Sequence, residues 1–287
     1  MNILVTTDGS GPSRRVLPHA ARFAAACDGR LTLARVLNPL VDLAGEFATT
    51  TDAAAKRFTE AWESDLGGVL TEAGVQGTPL VPVQAHGEDA HDAILRVAAE
   101  IEADVRAMHS RGIGVLRHAL LGSVAMGVLG HSARPVLLTG EHVENPSGQG
   151  PYRLMITSDG SAASLDIVRA LLPLMAGRGV VVKLVRVFEP RSGRASPGAE
   201  HEACRNQLEK VRLEHFAGLD VEGLVPVAGH EQAVAETIIE TAADLGVDAI
   251  AMSTHGHGAL RHLLAGSVAL DVLARSPLPV FLARAGE

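Results

Sequence analysis

Two glycine-serine sets mark where this chain can hold an anion. In the first half, Gly112 is followed after nine residues by Gly122 and Ser123; in the second half, Gly256 is followed after nine by Gly266 and Ser267. Each set lies between a short apolar run and an amphipathic one, so it reads as a strand, a glycine-rich turn and a helix. Glycine lets backbone N–H groups approach an anion closely, and the N-terminus of the next helix adds unpaired donors and its dipole. Ser123 and Ser267 can each donate a hydroxyl to a phosphate oxygen. The plain alternative is a turn that only joins a strand to a helix, and duplication copies structural glycines as faithfully as functional ones. A second pair is Asp8 and Asp159, each ending an apolar run and opening Asp-Gly-Ser. Such a carboxylate either meets a ligand or shapes the turn.

These residues come in pairs because the whole chain repeats. MNILVTTDGS at 1–10 returns as YRLMITSDGS at 152–161, and LRHALLGSVAMGVL at 116–129 returns as LRHLLAGSVALDVL at 260–273. The unit is about half the chain, long enough to bury its own core, so it is a domain rather than a solenoid repeat. The expected division is 1–142, a Gly/Pro/Ser-containing linker at 143–151, and 152–287. Short apolar runs alternate with longer amphipathic ones, the pattern of βαβ units in a parallel sheet. Strands are predicted near 2–7, 31–37, 79–84, 104–108 and 135–139, and near 153–158, 180–187, 223–228, 248–252 and 279–283. Helices are predicted near 12–27, 52–73, 90–101 and 117–131, and near 162–176, 199–217, 231–245 and 261–275. Ser10 and Ser161 sit where helix N-caps belong. The segments 41–50 and 191–198 read as mobile loops. Arg106, in the fourth strand, stands where the second copy has Ile250, an odd residue for a central strand.

Composition excludes several classes. The 287 residues carry a formal net charge of −8 and almost no aromatics, so nucleic acid and anionic membranes are not expected partners. No apolar stretch reaches the length of a membrane span. Cys27 and Cys204 fall at non-equivalent places and read as unpaired thiols. The chain opens directly on a strand-like run without a signal segment, which predicts a cytoplasmic protein.

On the strand ends TTDGS and TSDGS, the segments HGEDAHDAILRVAAEIEAD and GHEQAVAETIIETAADLGVD, and the loops ending in GSVA, the chain resembles the universal stress protein family in a tandem form. The resemblance covers nearly the whole length. It implies an α/β fold of two doubly wound, adenine nucleotide alpha hydrolase-like domains, each a five-stranded parallel sheet of order 3-2-1-4-5 flanked by four helices. It further implies ATP binding, with Mg²⁺ held through the phosphates, by the pattern G-x-x-G, nine residues, then G and S or T. Both copies lack the first glycine: His109 stands there in the first and Ser253 in the second. The second copy is the better preserved. By resemblance, Asp8 and Asp159 lie beside the adenosine moiety, the backbones of Val36 and Val187 read adenine, and Val124 and Val268 meet phosphate. The site then falls beyond the strands' carboxyl ends, where strand order reverses. Pairing near the fifth strands implies an intramolecular pseudo-dimer, with a homodimer of the whole chain as a further possibility.

No catalytic constellation follows from spacing. There is no Gly-x-x-x-x-Gly-Lys-Ser loop and no lysine near either turn, so at most slow ATP hydrolysis is expected. Arg111, Arg117 and Arg261 are placed to offset phosphate charge. His255 and His257 flank Gly256, and His118 and His262 recur one turn before the Gly-Ser pair; packing or surface roles are open for all four. His86, His91 and His230 form no repeated metal-ligand set. The reading is a nucleotide-dependent stress-response regulator, against a nucleotide-free scaffold of the same fold. An enzyme of the wider hydrolase-like group would need catalytic insertions that so compact a chain hardly accommodates.

Overall fold

The structure, a computed structural model, describes residues 1–43, 51–111, 121–190, 197–216, 219–229, 234–254 and 266–284. The first copy supplies β1 (Asn2–Thr6), α1 (Gly11–Arg14), α2 (Val16–Ala26), β2 (Arg30–Ala34), α3 (Pro39–Asp42), α4 (Thr51–Glu72), β3 (Thr78–Leu80), α5 (Ala90–Glu100), β4 (Val105–His109), α6 (Ser123–His131) and β5 (Val136–Thr139). The second supplies β6 (Tyr152–Thr157), a 3₁₀ turn (Ala163–Leu165), α7 (Asp166–Met175), β7 (Val180–Val185), α8 (Pro197–His215), β8 (Val221–Leu224), α9 (Val234–Asp244), β9 (Ala249–Ser253), α10 (Ser267–Arg275) and β10 (Val280–Ala283).

All ten strands form one sheet in the order β3-β2-β1-β4-β5-β10-β9-β6-β7-β8. Within each copy the pairing is parallel and the order is 3-2-1-4-5, as expected. Where the copies meet, β10 and β5 run antiparallel, with Phe281 opposite Leu137. Val, Leu, Ile and Ala side chains leave both sheet faces apolar, and helices cover both. One buried cluster joins Val16, Phe23 and Leu66 to Ile167, Leu208 and Phe281; the other joins Ile94 and Val128 to Ile238 and Val272. Each cluster runs through both copies, so neither core ends at the junction.

The differences from the sequence reading have local causes. The helix expected at 12–27 breaks at Arg15, because Pro18 has no N–H to give the carbonyl four residues back. Part of 41–50 is not loop, since α3 starts at Pro39 under an Asn38 cap whose side chain accepts the Leu40 N–H at 3.0 Å. Ser161 accepts the Ser164 N–H at 3.1 Å, but the turn it starts is 3₁₀ before it becomes α7. The predicted helix starts at 117 and 261 lie outside the described residues; the described helices α6 and α10 begin at Ser123 and Ser267, each after an extended glycine, Gly122 or Gly266. Arg106 is buried in β4 and turns back to donate to the Ala103 carbonyl at 2.9 Å. That burial pushes its guanidinium below the usual range. Residues 191–196, within the expected 191–198 loop, lie outside the described residues. No helix among the described residues is long and apolar enough to cross a membrane.

Candidate functional site

The carboxyl end of the first strand builds the same turn in both copies. Gly9 at φ +89° and Gly160 at φ +84° take a left-handed conformation that other residues rarely adopt. Their N–H groups donate to Thr7 Oγ1 at 3.0 Å and Ser158 Oγ at 3.1 Å. Asp8 and Asp159 each accept the N–H of the next-but-one serine through Oδ1 at 2.9 Å. The turn-shaping role of these aspartates is therefore present in the fold. Thr7 meets Ser13 at 2.6 Å and Ser158 meets Ser164 at 2.7 Å, hydroxyl to hydroxyl. Sequence reasoning missed Ser13 and Ser164, although their shared spacing after Asp-Gly-Ser was visible.

An arginine lies over each of these glycines. A Cβ on Gly9 would stand 2.9 Å from the Arg35 guanidinium carbon, and one on Gly160 would stand 2.6 Å from an Arg186 nitrogen. The glycine supplies room as well as conformation. Beyond this point the copies part. Arg35 carries the Trp62 ring at 3.5 Å from its centroid, and Phe58 meets Trp62 edge-on. Arg186 instead donates to Gln207 Oε1 at 2.6 Å.

The fourth strands lead into the glycine loops. Gly122 donates its N–H to the Ser110 carbonyl at 2.8 Å, and Gly266 bonds the Thr254 carbonyl in the same way. Each loop thus starts and ends at one point, and the helix begins immediately after it. The N–H groups of Ser267, Val268 and Ala269 have no acceptor inside α10, so they are available to an anion. A Cβ on Gly266 would come within 3.1 Å of the Thr254 carbonyl oxygen, which makes a larger residue costly there. Gly112, Gly256, Arg117, Arg261, His118, His230, His255, His257 and His262 lie outside the described residues.

In the second copy these elements surround a cavity of about 940 Å³. Its wall brings together Asp159, Val187, Ser253, Gly266, Ser267 and Val268, six of the positions singled out from the sequence. The remaining lining includes Arg186, Gln207, Cys204 and Glu200, none of which was foreseen. Cys204 is a half-buried free thiol on α8, whereas Cys27 is buried in the core, where desolvation raises its thiol to about 11. Ser253 borders the cavity and accepts the Ile167 N–H at 3.1 Å, so its hydroxyl holds the start of α7.

The matching region of the first copy is furnished differently. His109, in place of Ser253, is buried and meets Thr139 Oγ1 at 3.0 Å; burial, then the cation of Arg15, lowers its pKa. Arg111 is ion-paired to Glu141. Val36 and Val124 are half-buried, Gly122 is buried and Ser123 is exposed. Asp89, His91 and Asp92, at the start of α5, are the one group among the described residues with metal-ligand proximity, and His91 is stacked on His131.

The universal stress protein family model matches residues 1–140 and again 152–284. Universal stress protein Slr1230 of Synechocystis sp. is 23% identical over 310 residues, covering 99% of both chains. Universal stress protein Rv2623 of Mycobacterium tuberculosis is 23% identical over 297 residues, covering 99% of this chain and 96% of its own. A universal stress protein from Archaeoglobus fulgidus shares the fold at a TM-score of 0.64 with 22% identity, over 99% of this chain and 98% of that one. With the family pattern matched twice and full-length relatives aligned from end to end, the chain belongs to the universal stress protein family, as two such units in tandem.

Proposed function

We propose that the second copy binds an adenine nucleotide, ATP, in the cavity beyond β6, β7 and β9, and that its occupancy sets the state of a stress-response regulator. The observation that carries this is the cavity itself, which opens on the first turn of α10, whose N–H groups have no acceptor within the helix, where Gly266, Ser267 and Val268 converge with Asp159 and Val187. Its volume is in the range of small-molecule sites. The groups suit the ligand: helix N–H donors and Ser267 for phosphate oxygens, a carboxylate for ribose hydroxyls, and the strand-end backbone at Val187 for the base. Mg²⁺ would enter on the phosphate oxygens, as hard cations do. Among the described residues the lining holds no lysine or histidine, which favours holding the nucleotide over rapid hydrolysis.

Titration calorimetry with ATP and Mg²⁺ tests this. Binding near one nucleotide per chain is expected, lost in Gly266→Val because the new side chain meets the Thr254 carbonyl. No heat, no thermal shift and no nucleotide carried through purification would remove ATP from the account. A nucleotide-free scaffold, its two copies joined through the antiparallel β5–β10 pairing, would then be the reading. On this proposal the chain is an intramolecular pseudo-dimer of the units 1–142 and 152–287, working in the cytoplasm.

A further inference from the structure

We propose that the Arg186 guanidinium stacks on the purine base of a nucleotide in the second copy, and that Trp62 fills the corresponding place in the first copy as a built-in substitute for that base. This rests on the nucleotide reading above and adds to it the residue that grips the base and the reason the copies differ.

The two arginines occupy the same place. Each directly follows the last residue of its copy's second strand, Ala34 of β2 and Val185 of β7, and each backbone N–H donates to the neighbouring strand at 3.1 Å, Arg35 to Leu80 and Arg186 to Leu224. Each guanidinium lies against the glycine of the Asp-Gly-Ser turn. A guanidinium is flat, so resting one part of it on a glycine leaves a face for an aromatic ring, and such stacking is a favoured use of arginine. In the first copy that partner is present: the Trp62 ring centroid is 3.5 Å from the guanidinium carbon, and Phe58 braces the indole. In the second copy α8 brings Ala203, Cys204 and Gln207 to the cavity instead of an indole. The bond from Arg186 to Gln207 uses an N–H, which lies in the guanidinium plane, so it orients the group without covering its face. Phe188, the aromatic residue in the described lining, is buried and packs on His201. The second copy thus has the cation, its support and about 940 Å³ of space, and it takes its aromatic partner from the ligand.

The test uses the full chain with two probes, ATP and inorganic tripolyphosphate, the second lacking any base. Arg186→Met is expected to weaken ATP about tenfold while changing tripolyphosphate by less than twofold. Arg186→Lys, which keeps the charge but loses the plane, should behave like Arg186→Met, and unchanged melting of both variants shows that the fold is intact. Trp62 is the single tryptophan of the chain, so its fluorescence watches the first copy alone. ATP should leave that emission unchanged, and Trp62→Ala should raise the stoichiometry from one to two. Wild-type affinity for ATP in Arg186→Met, or equal loss of ATP and tripolyphosphate, overturns the stacking role while nucleotide binding stands. One site per chain in Trp62→Ala overturns the substitute-base role. A wild-type chain that binds neither probe overturns this inference together with the function it rests on.

Discussion

The two copies keep the same backbone devices and fill them differently. Both close the Asp-Gly-Ser turn with a hydroxyl pair, both tie the glycine loop to the end of the fourth strand, and both start the next helix from an extended glycine. The first copy then spends the space: His109 replaces Ser253, and Arg35 carries Trp62 where Arg186 borders a cavity. The junction is lopsided too. On α2 the first copy presents His19, Arg22 and Phe23, where α7 of the second has Ala170, Pro173 and Leu174. Phe23 packs edge-on against Tyr152 and Phe281 of the second copy, at 5.1 and 4.9 Å between ring centres. Backbone geometry is what the two copies share; the side chains are where they part, with an indole on the arginine of one and a cavity beside the arginine of the other.

The comparison breaks first at Phe23. Phe23→Ala should cost about 3–5 kcal/mol, because three rings lose their common packing, while Leu174→Ala, half-buried on the matching helix, should cost about 1–2 kcal/mol. Urea unfolding of both variants decides it, and equal losses would mean the junction is symmetric after all.

The next contrast is between Asp248 and Asp104, which precede the fourth strand of each copy. Asp104 accepts the Asn2 N–H at 2.9 Å. Asp248 accepts the Arg153 N–H at 2.8 Å and also a two-pronged bond from Arg22 of the other copy, at 2.8 Å to each oxygen. Asp248→Asn leaves a largely buried guanidinium without its counter-charge and should cost about 2–4 kcal/mol, against about 1 kcal/mol for Asp104→Asn. Thermal melting in low and high salt checks this, with the loss at Asp248 persisting in high salt because the pair is shielded from solvent.

The smallest expected effect sharpens the contrast by pH. His19 is buried, with one ring nitrogen against the Glu144 backbone and Nε2 without a hydrogen-bond partner. Burial holds its pKa at about 4, against 6.5 when unfolded, with Glu144 and Asp248 only partly opposing the shift. The unfolded chain therefore takes up this proton first as the pH falls, so stability declines below about pH 6.5 and the loss is complete only below pH 4. Between pH 7 and 5.5 the wild type should lose about 1 kcal/mol more than His19→Met. Parallel acid-side melting curves for the two proteins, with no difference in slope, would show that His19 charges freely in the folded state.

Much of this was legible because it is local. The strand-to-turn transitions at Asp8 and Asp159 show in the sequence, since an apolar run followed by Asp-Gly-Ser has few other conformations open to it. The fifth-strand runs VLLT and VFLA read as buried strands for the same reason. The start of α6 was not legible. LRHALLGSVA has helical character throughout, and only the bond from Gly122 to the end of β4 shows where the helix begins. The same holds for Arg186 and Gln207: nothing local links a strand-end arginine to a glutamine on the next helix.

Sequence by itself determined the duplication, the α/β class, the strand order through the family it resembles, and the two glycine-serine positions. These follow from repeated local signals, each written in a few consecutive residues. Tertiary structure alone set Trp62 on Arg35 in the first copy and a cavity beside Arg186 in the second. An indole on α4 and a guanidinium after β2 become neighbours only when helix and strand pack on one sheet, and whether that place holds a ring or a cavity depends on contacts no single segment contains.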